Sequence, residues 1–419
     1  MAKNPKIKFL LVCALVLAFS LPAFAWDDSG HKLVAYIAWQ QMSPEAREAA
    51  VKLLLNAPED SQIMALYPTP PDADFTTYPP GARSKAAKQR DFFMIVAYWA
   101  DIIRERKYEN RSKYHHGTWH YLDTYWRERD GKVELMPEME GDKENVVTQL
   151  FAFDKTLRSD AKDAEKAIAL AWILHLTGDV HQPLHASGRV TPEDPKGDAG
   201  GNTFSLSPPD AARKENLHWY WDSIVVRTVQ RNKDASDAEY LLPIGDAIMK
   251  KYPITKMQSR LELGKFDAWQ NESFKVASEK LYPKTLVRGQ MPSSDYQKMA
   301  FGIAEEQIAL AGYRLGAWLN QILDAKVVEM ADSGNNIPCR IIRKVPYPVT
   351  QTNPSKNSKL EIALLNLCPQ NKGMVARPMT SFLINGKPVN FEYDVERIFK
   401  TEREAREFAE KNGIKDGSF

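Results

Sequence analysis

Two His-x-x-x-Asp pairs constrain this chain more than any other feature. His175 and Asp179 stand four residues apart in W-I-L-H-L-T-G-D-V-H-Q-P-L-H, and His218 and Asp222 repeat the spacing in N-L-H-W-Y-W-D. On a helix, positions i and i+4 share a face, so each pair presents an imidazole and a carboxylate to one point. His185 follows Pro183, which breaks the regular path, and can approach the same point from the helix end. Imidazole plus carboxylate is the ligand set of a zinc site, with open positions for water where the site is catalytic. A lone histidine is most often a satisfied core residue. Here three of the chain's eight histidines fall into one small constellation, which chance explains poorly.

The first 25 residues point outside the cytoplasm. Lys3, Lys6 and Lys8 form a positive segment, Phe9 to Leu21 an apolar one, and Ala23-Phe24-Ala25 a small-x-small cleavage pattern. The apolar run falls short of the roughly 20 residues a membrane span needs. Val12 before Cys13 does not suit a lipoprotein site. The expected mature chain therefore begins at Trp26 and is secreted or periplasmic, without stable membrane association. Losing three lysines and no acids takes the formal charge from +2 to −1, so no global field attracts polyanions. Only Cys339 and Cys368 then remain, one possible disulfide away from the histidines.

The body reads as helical. Ser43-Pro44 supplies an N-cap and a first-turn proline for a helix running to Leu55. Arg90 to Arg106, apolar on nearly every side, reads as a buried helix. Glu144 to Arg158, Asp163 to Leu176 and Ala304 to Leu323 also carry helical periodicity. Strand-like alternation is scarce before about residue 335, and the polar stretches Pro68 to Ala87 and Ser187 to Ser207 read as long functional or mobile loops. The expected organisation is a signal peptide over 1–25, an all-α domain over 26–325 and a small α+β appendage over 326–419. In the appendage, Cys339 to Pro346 and Leu360 to Leu367 look like strands, Ser381 to Tyr393 like a hairpin around Asn385-Gly386, and Thr401-x-x-Glu404 like a capping box opening a last helix.

Further ligands lie around the histidines. His31 follows Trp26 by five residues, and an α-amino group, with a pKa of roughly 8, can bind metal near neutral pH. The plainer reading is a terminal strand or tail whose tryptophan packs. A-Y-W-A-D ends in Asp101 with Arg104 one turn on, and W-H-Y-L-D holds His120 and Asp123.

In order and spacing, Trp26, His31, Asp101, His120, His175, Asp179, His185, His218 and Asp222 resemble the ligands of the trinuclear-zinc S1/P1 nuclease family. The resemblance extends to Gly178, His181-Gln182-Pro183-Leu184 and Asp198-x-Gly200-Gly201-Asn202, and covers about residues 26 to 325. It implies an all-α hydrolase that cuts RNA and single-stranded DNA to 5′-phosphorylated products and removes 3′-phosphates from nucleotides. It also implies three Zn²⁺ ions. Asp101, His120, His175 and Asp179 would hold the first, His185, His218 and Asp222 the second, and Trp26, His31 and bridging Asp179 the third. Catalysis would then rest on metal-activated water oriented by Asp101, with Arg104 offsetting phosphoryl charge. Tyr121 falls where the family stacks a base, Asp123 where a base edge is read or a ligand supported, and Asn202 is a further substrate contact.

Two departures stand beside the resemblance. The disulfides of eukaryotic members have no counterpart, since no cysteine lies between Trp26 and Ala325, and residues after Val327 exceed the family's usual extent. Two other readings remain open at this level: a zinc-dependent phospholipase C of the same superfamily, disfavoured by the short Trp26–His31 spacing and by Asp222 where that enzyme has glutamate, and a non-catalytic secreted zinc-binding protein.

Overall fold

The computed structural model describes residues 26–67 and 84–324, together with six strands between 339 and 416. Its helices are α1 (Asp28–Gln41), α2 (Pro44–Leu54), α3 (Lys85–Val96), α4 (Trp99–Ile102), α5 (Arg111–Tyr114), α6 (Val146–Arg158), α7 (Asp163–Asp179), α8 (Leu217–Asp222), α9 (Ile224–Thr228), α10 (Asp237–Lys251), α11 (Ile254–Met257), α12 (Phe266–Val276) and α13 (Ser294–Leu323). The protein is all-α in its main body, as expected.

Local chemistry sets where these helices begin. The Asp27 carboxylate accepts from Ser29 N and Gly30 N to cap α1, so the segment after Trp26 is a helix rather than a strand or tail. Ser43 caps α2 through Ala46 N, with Pro44 at the first position. Asn145 and Thr148 form a reciprocal capping box at α6, satisfying amides that have no partner inside the helix. Helix α1 is buried from Ser29 to Trp39 because α13 lies along it. Gly312 and Gly316 allow that approach: a Cβ at Gly312 would sit 2.5 Å from Ile37 Cβ, and one at Gly316 2.7 Å from the Ala38 carbonyl oxygen. Trp99, Trp119 and Trp172 brace the other side in edge-to-face contacts at 5.9 and 5.1 Å, the arrangement their quadrupoles favour.

Three expectations need correction. The helix read over Arg90 to Arg106 is two helices, α3 and α4, separated at Ala97–Tyr98. The break has a use, since it leaves the Ala97 carbonyl available to a histidine of α7. The stretch read as loop to Ala87 already belongs to α3 from Lys85; its residues 68–83 lie outside the described ones.

A small sheet also interrupts the helices. Strand β1 (Thr124–Arg129) pairs antiparallel with β2 (Lys132–Leu135) and parallel with β3 (Ser187–Arg189). Its hairpin turns on Asp130-Gly131, both at positive φ, the dipeptide that such two-residue turns favour. The loop after β3 is held rather than free. Arg189 N and the Tyr282 hydroxyl both donate to the Asp198 carboxylate, at 2.9 and 2.6 Å, while Thr203 and Arg288 bind Asp194.

Beyond residue 338 the described segments are strands: β4 (Cys339–Pro346), β5 (Ile362–Leu364), β6 (Phe382–Ile384), β7 (Lys387–Val389), β8 (Phe391–Phe399) and β9 (Lys415–Asp416). β4 matches the expected range. β6 and β7 pair as Ile384↔Lys387 around Asn385-Gly386, as the dipeptide predicts. The order β8-β4-β5-β9 was not anticipated, and β8 runs well past Tyr393. The signal peptide, the Thr401 helix and Cys368 of the possible disulfide lie outside the described residues. Among those described, no helix is long and apolar enough to cross a membrane.

Candidate metal centre

Helix α7 delivers the first pair. His175 and Asp179 are both fully buried, and His175 Nε2 lies 3.3 Å from Asp179 Oδ2. Helix α8 delivers the second, with His218 Nε2 3.4 Å from Asp222 Oδ2. Helix α7 ends at Asp179, and the 3₁₀ turn Pro183–Ala186 returns His185 to the cluster, where its ring stacks on His218 at 5.0 Å. Helix α1 brings in His31, 3.5 Å from Asp179 Oδ1, α4 brings Asp101, and the 3₁₀ turn Gly117–His120 brings His120. Asp179 is the hub, because His120 Nδ1 also lies 3.0 Å from its Oδ2.

The cluster resolves into three groups whose ligand atoms could each hold one ion: His31, His175 and Asp179; Asp101, His120 and His175; His185, His218 and Asp222. The third is the expected set. The other two share His175, whose ring stacks face to face on His31 at 3.9 Å while its Nε2 lies 3.0 Å from His120 Nδ1. Trp26 is fully buried beside them, its Cβ within 2.6 Å of where a Gly30 side chain would begin. The amide of Asp27 donates to the Asp222 carbonyl at 2.9 Å, tying this end of the chain to the third group.

Backbone carbonyls orient the imidazoles. A carbonyl only accepts, so each of these nitrogens is the protonated one: His175 Nδ1 donates to Ala97 O at 2.8 Å, His185 Nδ1 to His120 O at 2.7 Å and His218 Nδ1 to Gly200 O at 2.7 Å. Their Nε2 atoms therefore carry the lone pair a metal requires. His181, inside the same motif, is the contrast. Its Nδ1 donates to Thr177 O, and its Nε2 accepts from buried Arg314 at 2.7 Å, so it serves the core. Gln182 donates to Asp222 Oδ1 at 2.7 Å and holds that carboxylate in place.

The donor set fits cations on the structure's own terms. Both ring nitrogens of His31, Asp101 Oδ2, Asp179 Oδ1 and Asp222 Oδ2 are buried and make no hydrogen bond among the described residues. A buried polar atom left so costs about 1–3 kcal/mol, a penalty a shared cation would remove. Burial also shifts the protons. It pushes Asp179 and Asp222 well above the usual carboxylate range and lifts Asp101 to about 6, against the opposing pull of Arg104. It drives His31 and His175 well below their usual value and His120 down to about 4. In the metal-free cluster burial thus favours the protonated form of these carboxyls and the neutral form of these imidazoles.

This fixes the pH dependence of metal uptake. A ligand carboxyl must lose its proton, so metal and proton compete at Asp101, Asp179 and Asp222. The His120 imidazole does not compete until the pH nears 4, and burial keeps His31 and His175 from competing as well. Zinc added to metal-depleted protein at pH 7 is therefore expected to release protons, and its affinity to fall as pH drops through about 6, where Asp101 protonates. For folding of the metal-free chain the sign is opposite at this group: the raised Asp101 pKa favours the fold below 3.8, and that contribution is lost as pH rises through 6. Calorimetric zinc titration in two buffers of different ionisation enthalpy checks the first point. Binding without proton release would contradict it.

A cleft of about 1100 Å³ opens over the cluster. Asp101, His120 and His218 reach it from the metal centre, and Arg104 sits at its edge with one guanidinium nitrogen 2.9 Å from Asp101 Oδ1. Tyr121, Asp123 and Asn202 line it as well. The Tyr121 hydroxyl donates to Asp142 at 3.2 Å, and the Asn202 amide to Ala199 O at 2.9 Å. Burial, with Asp198 and Asp142 nearby, raises Asp123 to about 8. Sequence reasoning passed over Gln182 and Asp198 as supports, though both stand in the quoted motifs. It also missed the anchoring carbonyls, which carry no side-chain signal.

The sequence profile of the S1/P1 nuclease family matches residues 26–324. Among similar characterised proteins, Endonuclease 2 of Arabidopsis thaliana is 25% identical over 331 residues, covering 75% of this chain and 96% of that protein. Nuclease S1 of Aspergillus oryzae is 22% identical over 75% of this chain and 98% of its own length. Nuclease P1 of Penicillium citrinum is 22% identical over 73% of this chain and all of its own.

Proposed function

From the premise that the chain belongs to the S1/P1 nuclease family and is a phosphodiester hydrolase, we propose a zinc-dependent endonuclease that cuts single-stranded DNA and RNA to 5′-phosphorylated products and also acts as a 3′-nucleotidase. The observation that carries this reading is the placement of three adjoining His/Asp groups, two of which open on a cleft through Asp101, His120 and His218, with Arg104 lining it beside Asp101. Asp101, His120, His175 and Asp179 would hold one zinc, His185, His218 and Asp222 a second, and Trp26, His31 and Asp179 a third. When bound, zinc supplies Lewis-acid stabilisation of phosphoryl charge and brings the ionisation of water towards neutral pH.

The chain's own groups do the rest. The Asp101 carboxylate accepts a hydrogen bond from the attacking water and holds it in line with the phosphorus. Arg104, already charged beside it, meets the negative charge that builds on the phosphoryl oxygens. Tyr121 stacks a base, which contributes roughly 1–3 kcal/mol and requires that base to leave its duplex. Asp123 and Asn202 meet the base edge and sugar. Single strands follow as the preferred substrate.

Residues 26–325 form the catalytic domain in this reading, and 326–419 an appendage. Residues 1–25 are a signal peptide whose removal frees the Trp26 amino group in the periplasm or medium.

Hydrolysis of single-stranded DNA, RNA, a 3′-mononucleotide and phosphatidylcholine, with and without a zinc chelator, tests the proposal. Chelator-sensitive release of 5′-mononucleotides with the lipid intact is expected. Cleavage of lipid alone would replace it with a phospholipase, and zinc binding without turnover of any substrate with a zinc-binding protein.

A further inference from the structure

Between Arg104 and the ligand His120 the chain makes an excursion whose residues the reaction above does not use. Arg106, Arg111 and His115 all line the catalytic cleft. Among the described residues neither Arg106 nor Arg111 has a carboxylate partner, whereas most surface guanidiniums elsewhere do, as Arg127 with Glu134, Arg158 with Asp154 and Arg260 with Glu272 and Glu306 illustrate. Two acids that line the cleft beside them are engaged: Glu105 pairs with Lys107 at 2.7 Å, and Glu144 accepts the Trp119 indole N–H at 3.1 Å.

The excursion is also fixed in place. Arg111 Nε donates to the Arg104 carbonyl, and His116 stacks on Trp119 at 3.6 Å with only 11° between their planes. Trp119 is braced in turn by Trp172 and Phe153. The His115 ring lies 6.5 Å from that of the ligand His120, so this patch and the metal centre are one ring apart.

We propose that Arg106, Arg111 and His115 form a phosphate subsite for the nucleotide next to the one being cleaved, so that the enzyme reads a single strand by its backbone as well as by its scissile group. The chemistry is that of a phosphodiester anion. Guanidinium donors match its oxygens in pairs, and on a chain with no strong net charge such a local patch is what attracts the strand. The subsite rests on the nuclease reading and adds to it a discrimination: a polynucleotide engages the patch, whereas a mononucleotide bearing only a 3′-phosphate at the metal centre does not.

The test compares kcat/KM for a single-stranded oligonucleotide and for a 3′-mononucleotide, in zinc-loaded wild type, Arg106→Ala and Arg106→Glu, across a salt series. Arg106 is the better probe because, unlike Arg111, it has no bond to the Arg104 backbone. The ratio of oligonucleotide to mononucleotide kcat/KM is expected to fall about tenfold in Arg106→Ala and further in Arg106→Glu, through KM rather than kcat. The salt slope of the oligonucleotide reaction should shrink by about 0.7, the value of one phosphate contact on a single strand. An unchanged ratio and slope in Arg106→Glu would overturn the subsite while leaving the nuclease reading intact. Equal loss on both substrates would also overturn it, showing that Arg106 acts on the catalytic centre or the fold. A wild type that cleaves neither substrate would overturn both.

Discussion

Asp179→Asn is expected to abolish zinc-dependent hydrolysis almost completely, by about 10³-fold or more, while leaving the metal-free fold nearly as stable as wild type. The size follows from contact. Asp179 Oδ2 meets His120 and His175 at 3.0 and 3.3 Å, and Oδ1 meets His31 and His185 at 3.5 and 3.8 Å. No other carboxylate of the cluster touches four imidazoles. Asparagine keeps the shape but replaces an anionic oxygen with an amide, which offers donors where cations require lone pairs. Losing even one group that stabilises transition-state charge typically costs 10²- to 10³-fold, and in the proposed arrangement, with Asp179 shared by two ions, both would lose a ligand.

The second half of the expectation rests on burial. It pushes the Asp179 carboxyl well above its usual pKa, so without metal burial favours the protonated form, of which asparagine is close to an isostere. Thermal unfolding of metal-depleted protein should therefore change by less than about 1 kcal/mol, whereas zinc should stabilise wild type and much less the variant, since a ligand stabilises only the state that binds it. Elemental analysis and two melting curves decide the matter. Full zinc content with activity within a few-fold of wild type would remove Asp179 from the centre.

The candidate site was far more legible in the sequence than its supports. Spacing alone placed His175 with Asp179 and His218 with Asp222, because the helical repeat is a fixed geometric fact. His31, Asp101 and His120 lie outside that repeat and were reached through resemblance. The elements that aim the ligands were largely hidden. The Ala97, His120 and Gly200 carbonyls are backbone groups whose exposure depends on where helices stop, and Ala97 falls in a run that reads as uninterrupted helix. Arg314 lies 133 residues from the His181 it contacts, so nothing local links them. The β1–β2 hairpin did have a local signal in Asp130-Gly131, which the helical patterns on both sides obscured.

The second large effect is expected from one methyl group. Gly178 stands beside Asp179 on α7, and a Cβ built there would lie 2.7 Å from His31 Nδ1 and 3.0 Å from its Cε1. Neither partner can yield easily. His31 is fully buried on α1, its ring sandwiched against His175 at 3.9 Å, and α1 is itself pressed onto α13 through Gly312 and Gly316. Alanine suits a helix better than glycine by up to about 1 kcal/mol, so a neutral or stabilising change would be expected if the helix alone mattered. Overpacking a buried contact costs typically 1–3 kcal/mol, and relief must come from rotating His31 away from Asp179. Gly178→Ala is therefore expected to lower zinc content by the ion that His31 helps to hold and to cut activity at least tenfold, with a melting temperature reduced by a few degrees. Gly302→Ala, on α13 with no atom within 4 Å of its added methyl, is the control that keeps the helix-propensity gain and should lose nothing. Were Gly178→Ala to retain full zinc and activity, the packing of α1 against α7 would not be what sets His31 in place, and its position would have to come from the Asp27 cap and the Trp26 contact at the start of α1.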